Sequence, residues 1–233
     1  MTSWLLVHSP LLGPDSWASV AAELWDAGDS VVVPDLRPAL SGGPGYVERQ
    51  STMAAEAAPA GPLALAGHSG AGPLLPCVVA ALTARGIEVD RCVFVDAGLP
   101  HPGRSRRSTL PAELAEHLDA LTHEGQVPPW PQWWPDEELA ALLPDPAVRA
   151  TLAADCPALP AGLFEEPLPQ HDALPPTGYV QLSEAYAEPA ALAATDGWPV
   201  RRLAADHLAP LTRPCEVARA MREVAAKLTA TPG

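Results

Sequence analysis

The chain has 233 residues, 48% of them hydrophobic, which suits one α/β domain with an insertion and excludes a disordered chain. Its 28 acidic residues outnumber 14 basic ones, for a net charge of −14; such a surface repels phosphate backbones and anionic headgroups and argues against nucleic-acid and membrane partners. The four cysteines, Cys77, Cys92, Cys156 and Cys215, form no CxxC pair and read as small buried hydrophobes of a reducing, cytoplasmic setting rather than a disulfide or zinc framework.

The N-terminal SWLLVHSPLL is apolar but lacks a basic flank and a small-residue cleavage site, so it reads as a buried strand, about Trp4 to His8, not a signal peptide. No apolar run reaches membrane-spanning length. Trp17, Val20, Ala21, Leu24 and Trp25 then form one helical stripe, with Asp15 as its expected cap and Gly28 at its end. SVVVPDL predicts a second buried strand over Ser30 to Leu36, and Arg37 to Ala60 reads as loop plus a weak helix. PLALAG is a third strand, residues 71 to 85 a helix bent or shortened by Pro76, and RCVFVDAG a fourth strand. Alternation of this kind gives a parallel sheet covered on both faces. From about Leu99 to Thr177 it stops, and the chain becomes Pro- and Trp-rich with short helices such as LPAELAEHLDALT and DEELAALL. That stretch reads as an inserted helical cap, residues 99–177, with the core formed by 1–98 and 178–233. The sheet resumes with GYVQLS and WPVRRL, and a last helix carries Val217, Met221, Val224 and Leu228 on one face, with Pro214 in its first turn.

The stretch LALAGHSGAG places Ser69 between a strand and a helix, among Gly67, Gly70 and Ala71. A serine hydroxyl becomes a nucleophile only when exposed, deprotonated by a base and flanked by anion-stabilising donors. A sharp strand-to-helix turn exposes it, small neighbours relieve the crowded backbone, and the helix N-terminus favours developing negative charge. This is the G-x-S-x-G elbow pattern, with Ala71 in place of the last glycine. The competing reading is a glycine-rich turn in which Ser69 is a plain helix cap.

With LLVHSPLLGPDSW, GHSGAG, VFVDAGLP and AADHLAPLTRPCEVA, nearly the whole chain resembles the α/β-hydrolase superfamily. The HSP-to-DSW spacing and the LFEEPLP segment look most like the small capped branch that holds plant methylesterases and hydroxynitrile lyases. The resemblance implies an α/β-hydrolase fold, a mostly parallel doubly wound sheet whose cap is inserted after the strand ending at Asp96. It also implies a base on the loop before the last helix, where His207 stands. The acid usually follows the strand before the histidine's own, yet the aligned position is Ala185, flanked by Glu184 and Glu188. A second family location is the end of the strand after the elbow helix, which offers Asp96. Asp96 is therefore the first candidate, Glu184 the second and Glu188 the third.

Two N–H groups normally hold the oxyanion. Gly70 N–H is one; the other comes from a His-Gly-x loop in the family, and here that loop reads His8-Ser9-Pro10. Proline has no N–H, so Ser9 Oγ or Leu11 N–H must substitute if the reaction is hydrolytic. Lyases of this branch carry Lys after the catalytic histidine; Leu208 stands there, which speaks against cyanohydrin cleavage. In the cap, Trp130, Trp133 and Trp134 either pin the cap to the core or wall an apolar substrate pocket. GRSRRS, residues 103 to 108, reads first as a solvated loop and second as a holder of a substrate carboxylate.

The expected function is a cofactor-free, metal-free serine enzyme that cleaves a small, largely apolar ester, thioester or lactone through an acyl-enzyme. The alternatives are a lyase, cyclase or acyl transferase of secondary metabolism on the same fold, or a non-catalytic small-molecule binding protein. The partner expected is a small-molecule substrate; a homodimer stays open.

Overall fold

A computed structural model describes residues 1–228; the last five residues of the expected core, 229–233, lie outside it. The strands and helices are, in order, β1 (Ser3–Val7), α1 (Asp15–Asp26), β2 (Ser30–Val32), α2 (Tyr46–Ala57), β3 (Leu63–His68), α3 (Leu75–Ala84), β4 (Val89–Val95), α4 (Ala112–Leu121), β5 (Gln126–Val127), α5 (Asp136–Leu142), α6 (Pro146–Asp155), β6 (Leu159–Pro160), α7 (Gly162–Glu165), β7 (Thr177–Gln181), α8 (Ala187–Thr195), β8 (Val200–Arg202), α9 (Ala209–Thr212) and α10 (Pro214–Leu228). Six strands form one sheet in the order β2-β1-β3-β4-β7-β8, and every pairing in it is parallel.

Alternation along each strand builds two separate cores. Leu5, Val7, Leu65, Phe94 and Tyr179 face α2, α3 and α8, packing on Ala54, Leu75, Val78 and Ala190. Trp4, Leu6, Ala66, Val95 and Val180 face α1 and α10, packing on Trp17, Val20, Leu24, Met221 and Val224. The inner strands β1, β3, β4 and β7 are buried on both faces, which is why they appear in the sequence as continuous apolar runs, whereas β2, expected as a buried strand, and β8 lie at the sheet edges and are part-exposed.

Several local expectations give way to tertiary contacts. β2 stops at Val32 rather than Leu36, because Pro34 has no N–H and an edge strand tolerates it only where pairing ends. Asp15 does not cap α1; Pro14 holds the cap position, and the Asp15 N–H donates to Asp155 Oδ2 at 2.9 Å. The weak helix is a full one, α2. Its cap comes from Glu166, whose carboxylate accepts the N–H groups of Gly45, Tyr46 and Val47 at 2.6, 3.0 and 2.9 Å. The helix expected over 71–85 is shortened at Pro76 rather than bent. Residues 69–74 form a tight 3₁₀ turn and α3 follows, with Pro76 in its first turn, where the missing N–H costs nothing.

Between β4 and β7, four helices and the antiparallel β5–β6 pair lie over the carboxyl ends of the strands, where residues of this segment join the elbow in lining one cavity. β7 begins at Thr177, one residue before the expected return of the core. Among the described residues, no helix is long and apolar enough to cross a membrane.

The chain turns sharply after β4, and Asp96 there has φ of +42°, a left-handed conformation costly for a residue with a Cβ. Tyr179 holds this turn: its buried hydroxyl donates to Ala97 O at 2.7 Å and accepts from Ala97 N–H at 2.9 Å. Tyr179→Phe strands both groups in an apolar site and is expected to cost about 2 kcal/mol in urea unfolding. A variant as stable as the wild type would show that this pair of bonds does not secure the turn.

Candidate active site

Ser69 sits at the tip of the turn from β3 into the 3₁₀ segment, with φ of +58°. The strain persists because the surroundings leave no other path. A Cβ on Gly67 would lie 2.8 Å from Leu75 Cδ2 and 3.3 Å from Ala71 Cβ. A Cβ on Gly72 would lie 2.1 Å from Gly98 O. Ala71 itself is fully buried, so the last position of the elbow pattern admits one methyl group, while Gly72 beside it admits none.

His207 lies on the loop between β8 and α9 and bridges two groups. Its Nε2 is 2.9 Å from Ser69 Oγ and its Nδ1 2.8 Å from Asp96 Oδ2. Asp96 has no solvent exposure. Its Oδ1 accepts the N–H groups of Leu182 and Ser183 at 2.8 and 3.0 Å, and its Oδ2 also accepts the Ser183 hydroxyl at 2.6 Å. Burial alone would raise the Asp96 carboxyl. The hydrogen bonds from His207 and Ser183 outweigh it and hold the group below its ordinary value. A carboxylate fixed this way selects the Nδ1–H tautomer of His207 and leaves Nε2 free to take the serine proton. Glu184, just past β7, and Glu188, in the first turn of α8, are exposed; Glu188 reaches the cavity rim and Glu184 does not.

Three residues around His207 and Asp96 escaped the sequence reading. Tyr186 stacks on its ring at 4.9 Å, with 7° between the planes, and its hydroxyl is 3.5 Å from Ser69 Oγ. His68 stacks on the other face at 4.6 Å, and its Nε2–H donates to His207 O at 3.0 Å. Burial, and then the neighbouring His207 charge, lower His68 to about 3, so it supports the base without competing for a proton. Ser183 is the third. No local pattern marks Tyr186 or Ser183, although both fall in the segment QLSEAYAEP that was searched for the acid. His8, at the end of β1, is structural. Its Nδ1–H donates to Ser9 O at 2.8 Å and its Nε2 accepts the Leu36 N–H at 2.9 Å.

On the oxyanion side, Gly70 N–H opens the 3₁₀ turn, where the first N–H groups have no partner within the helix. Pro10 lines the cavity and brings no donor. Leu11 N–H is engaged by Ser9 Oγ at 3.3 Å, and Leu12 N–H by Ser9 O at 3.0 Å. The Ser9 hydroxyl stands 3.0 Å from the place a Cβ would take on Gly70. It accepts from Leu11, and no acceptor for its own proton appears among the hydrogen bonds of the described residues.

Ser69 and His207 open into a cavity of about 630 Å³. Its wall is mostly apolar, with Leu110, Leu118, Trp130, Trp133 and Phe164 from the cap segment. The tryptophans serve both expected roles. Trp133 is buried in a cluster with Leu118, Val127 and Phe164, its Nε1–H donates to Pro128 O at 2.7 Å, and it also faces the cavity. The GRSRRS segment divides. Arg104 is exposed, Arg107 pairs with Asp119 at 2.5 Å, and Arg106 turns in to the cavity wall. Among the described residues, no group of three His, Cys, Asp or Glu side chains is placed to hold a metal.

The depressed Asp96 carboxyl has a consequence for stability. Its contribution is in place above the unfolded value near 3.8 and is lost as pH falls through the lower folded value. Asp96→Asn is expected to flatten that acid limb in pH-dependent unfolding, where Glu184→Gln and Glu188→Gln leave it intact. If catalysis runs through His207, Asp96→Asn also lowers turnover at least about a hundredfold, since the imidazole loses its orienting charge. An unchanged acid limb in Asp96→Asn would remove the buried carboxylate from this role.

Neither a protein-family model nor a curated protein matches the chain. Solved structures do. An extracellular α/β-hydrolase from a Paenibacillus species, described as sharing structural and functional homology with tobacco salicylic acid binding protein 2, superposes with a TM-score of 0.77 at 18% identity, covering 96% of this chain and 99% of that one. A pyrethroid hydrolase from Sphingobium faniae JZ-2 gives 0.68 at 20% identity over 98% of both chains. Tomato methylketone synthase I complexed with 2-tridecanone gives 0.67 at 16% identity over 97% of this chain and 98% of that one. Together with the six-stranded parallel sheet, these likenesses identify the architecture: the chain has the α/β-hydrolase fold.

Proposed function

We propose that the protein is an enzyme, a serine-dependent hydrolase that cleaves a small, largely apolar ester, thioester or lactone through an acyl-enzyme. The observation that carries this reading is His207, hydrogen-bonded at once to Ser69 Oγ and Asp96 Oδ2 at the mouth of an apolar cavity. Ser69 Oγ attacks the acyl carbon as its proton passes to His207 Nε2, and Asp96 stabilises the imidazolium through Nδ1–H. His207 returns the proton to the departing alcohol or thiol, then draws one from the water that releases the acid. The charge on the tetrahedral oxygen falls to Gly70 N–H and, in place of the N–H that Pro10 lacks, to the Ser9 hydroxyl. The free cysteines support a reducing, cytoplasmic setting. The architecture shared with a pyrethroid hydrolase is compatible with the proposal.

One observation favours a second reading. With Pro10 at the oxyanion loop, the same groups suit a non-hydrolytic reaction in which Ser9 touches substrate and Ser69 forms no covalent bond. A fluorophosphonate probe separates the two, since only a nucleophilic Ser69 gives an adduct.

Ser69→Ala and His207→Ala are each expected to abolish hydrolysis of 4-nitrophenyl acetate while melting like the wild type. Turnover above about 10% in either folded variant would overturn the reading, because loss of such a group removes orders of magnitude. Ser9→Ala is expected to lower kcat about a hundredfold, the usual loss for one oxyanion donor, with Pro10→Ala nearly flat. A faster Pro10→Ala enzyme beside an unimpaired Ser9→Ala enzyme would mean that the second donor is missing rather than replaced.

A further inference from the structure

Arg106 is a charge without a counter-charge. Its Nη1–H donates to Gly70 O at 2.6 Å. Nε and Nη2 are sealed from solvent and have no hydrogen-bond partner. A guanidinium brings five N–H donors and stays charged at neutral pH even where burial, as here, lowers it to about 10. Among the described residues, no carboxylate pairs with it. Glu166 is the nearest in charge, and both its oxygens are committed to the N-terminus of α2. Asp119 and Glu165 belong to Arg107. Clamping the elbow through Gly70 O uses one donor and does not explain why a desolvated cation stands there, since an unpaired buried charge is strongly destabilising.

Its position does explain it. Arg106 lines the cavity beside Gly70, with Nη1 3.5 Å from the place a Cβ would take on that residue. His101 lines the same cavity. Its Nδ1–H donates to Leu99 O at 3.2 Å, which leaves Nε2 buried and unpartnered. Trp134 Nε1, also in that wall, is a third buried polar atom with no partner. The unsatisfied donors of Arg106 and Trp134, and the free acceptor Nε2 of His101, therefore lie in the wall of a chamber that is otherwise apolar, while its carboxylate, Glu188, stays at the exposed rim.

We propose that Arg106 receives a carboxylate of the substrate, which is thus an amphiphilic anion: an apolar or aromatic acyl compound that carries a carboxylate besides its scissile bond. This rests on the hydrolase reading above and narrows it. A protein of net charge −14 offers such an anion no long-range attraction, so any preference for charge must arise at Arg106.

Two matched pairs test this. The 4-nitrophenyl monoester of adipate is compared with 4-nitrophenyl hexanoate, and 4-acetoxybenzoate with 4-methylphenyl acetate, placing the charge on the acyl or on the leaving side. The wild type is expected to favour the charged member of one pair at least about tenfold in kcat/KM, as a charge-assisted hydrogen bond provides. Arg106→Gln is expected to erase the preference and Arg106→Lys to keep part of it. The ratio within a pair cancels damage to the elbow common to both esters. No preference in either pair, or one that survives Arg106→Gln, overturns the proposal while leaving the hydrolase reading standing. If no ester is cleaved and Ser69 takes no fluorophosphonate, the hydrolase reading fails instead. Calorimetry with hexanoate and its neutral isostere hexanamide then decides: tighter binding of hexanoate that requires Arg106 supports the anion site, and equal affinities refute it.

Discussion

The buried carboxylate of Asp96 is the constraint on which the site depends. It stands at the end of β4, takes two backbone N–H groups just past β7, and takes the Nδ1–H of a histidine just past β8. Three segments distant in sequence are thereby tied at the carboxyl ends of three adjacent strands. A carboxylate sealed from water is tolerable only when its lone pairs are filled. Four hydrogen bonds fill those of Asp96. The same bonds that offset its desolvation aim the imidazole at Ser69, so the energetic solution and the geometric one coincide. The left-handed turn at Asp96 follows from the need to point a strand-end side chain across the sheet top, and Tyr179 secures it from behind.

Packing closes the remaining freedom of His207. Tyr186 and His68 lie on its two faces, and His68 also holds its carbonyl. A ring held on both faces and at both nitrogens has little rotamer entropy left to lose when substrate arrives. The neutrality of His68 matters here. A second imidazolium 4.6 Å away would set a like charge beside the base of the proposed reaction.

Much of this was readable in the chain, for physical reasons. Parallel strands buried on both faces leave unmistakable apolar runs, and Gly67-His68-Ser69-Gly70-Ala71 between strand and helix marks an elbow because little else requires a serine so crowded by small residues. What escaped depends on distant partners. α2 looked weak because its cap, Glu166, lies about 120 residues away in sequence. Asp15 looked like a cap because local pattern cannot see Asp155 arriving from α6. The choice among Asp96, Glu184 and Glu188 turned on which acid meets His207, and only the strand order β4-β7-β8 puts one of them there. Arg106 was hidden among three arginines of identical chemistry. Sequence separates them only by phase, and the fold exposes one, pairs one and buries one.

The oxyanion side completes the electrostatic logic. A proline at position 10 removes one fixed dipole, but its rigid ring also shapes the loop that presses Ser9 Oγ against the elbow. A hydroxyl can rotate, which a backbone N–H cannot. In the proposed reaction it adapts to an oxyanion in one step and to a neutral carbonyl in the next, at some loss of preorganisation. Arg106 compensates from the opposite direction. Its charge is fixed, and the hydrogen bond that it donates to the Gly70 carbonyl draws electron density along the Gly70–Ala71 peptide unit, polarising the Ala71 N–H. In the proposed reaction, negative charge near Ser69 is met by one adaptable donor, one backbone donor and one nearby cation. In so acidic a protein, Arg106 places a positive charge in the wall of the cavity into which Ser69 opens.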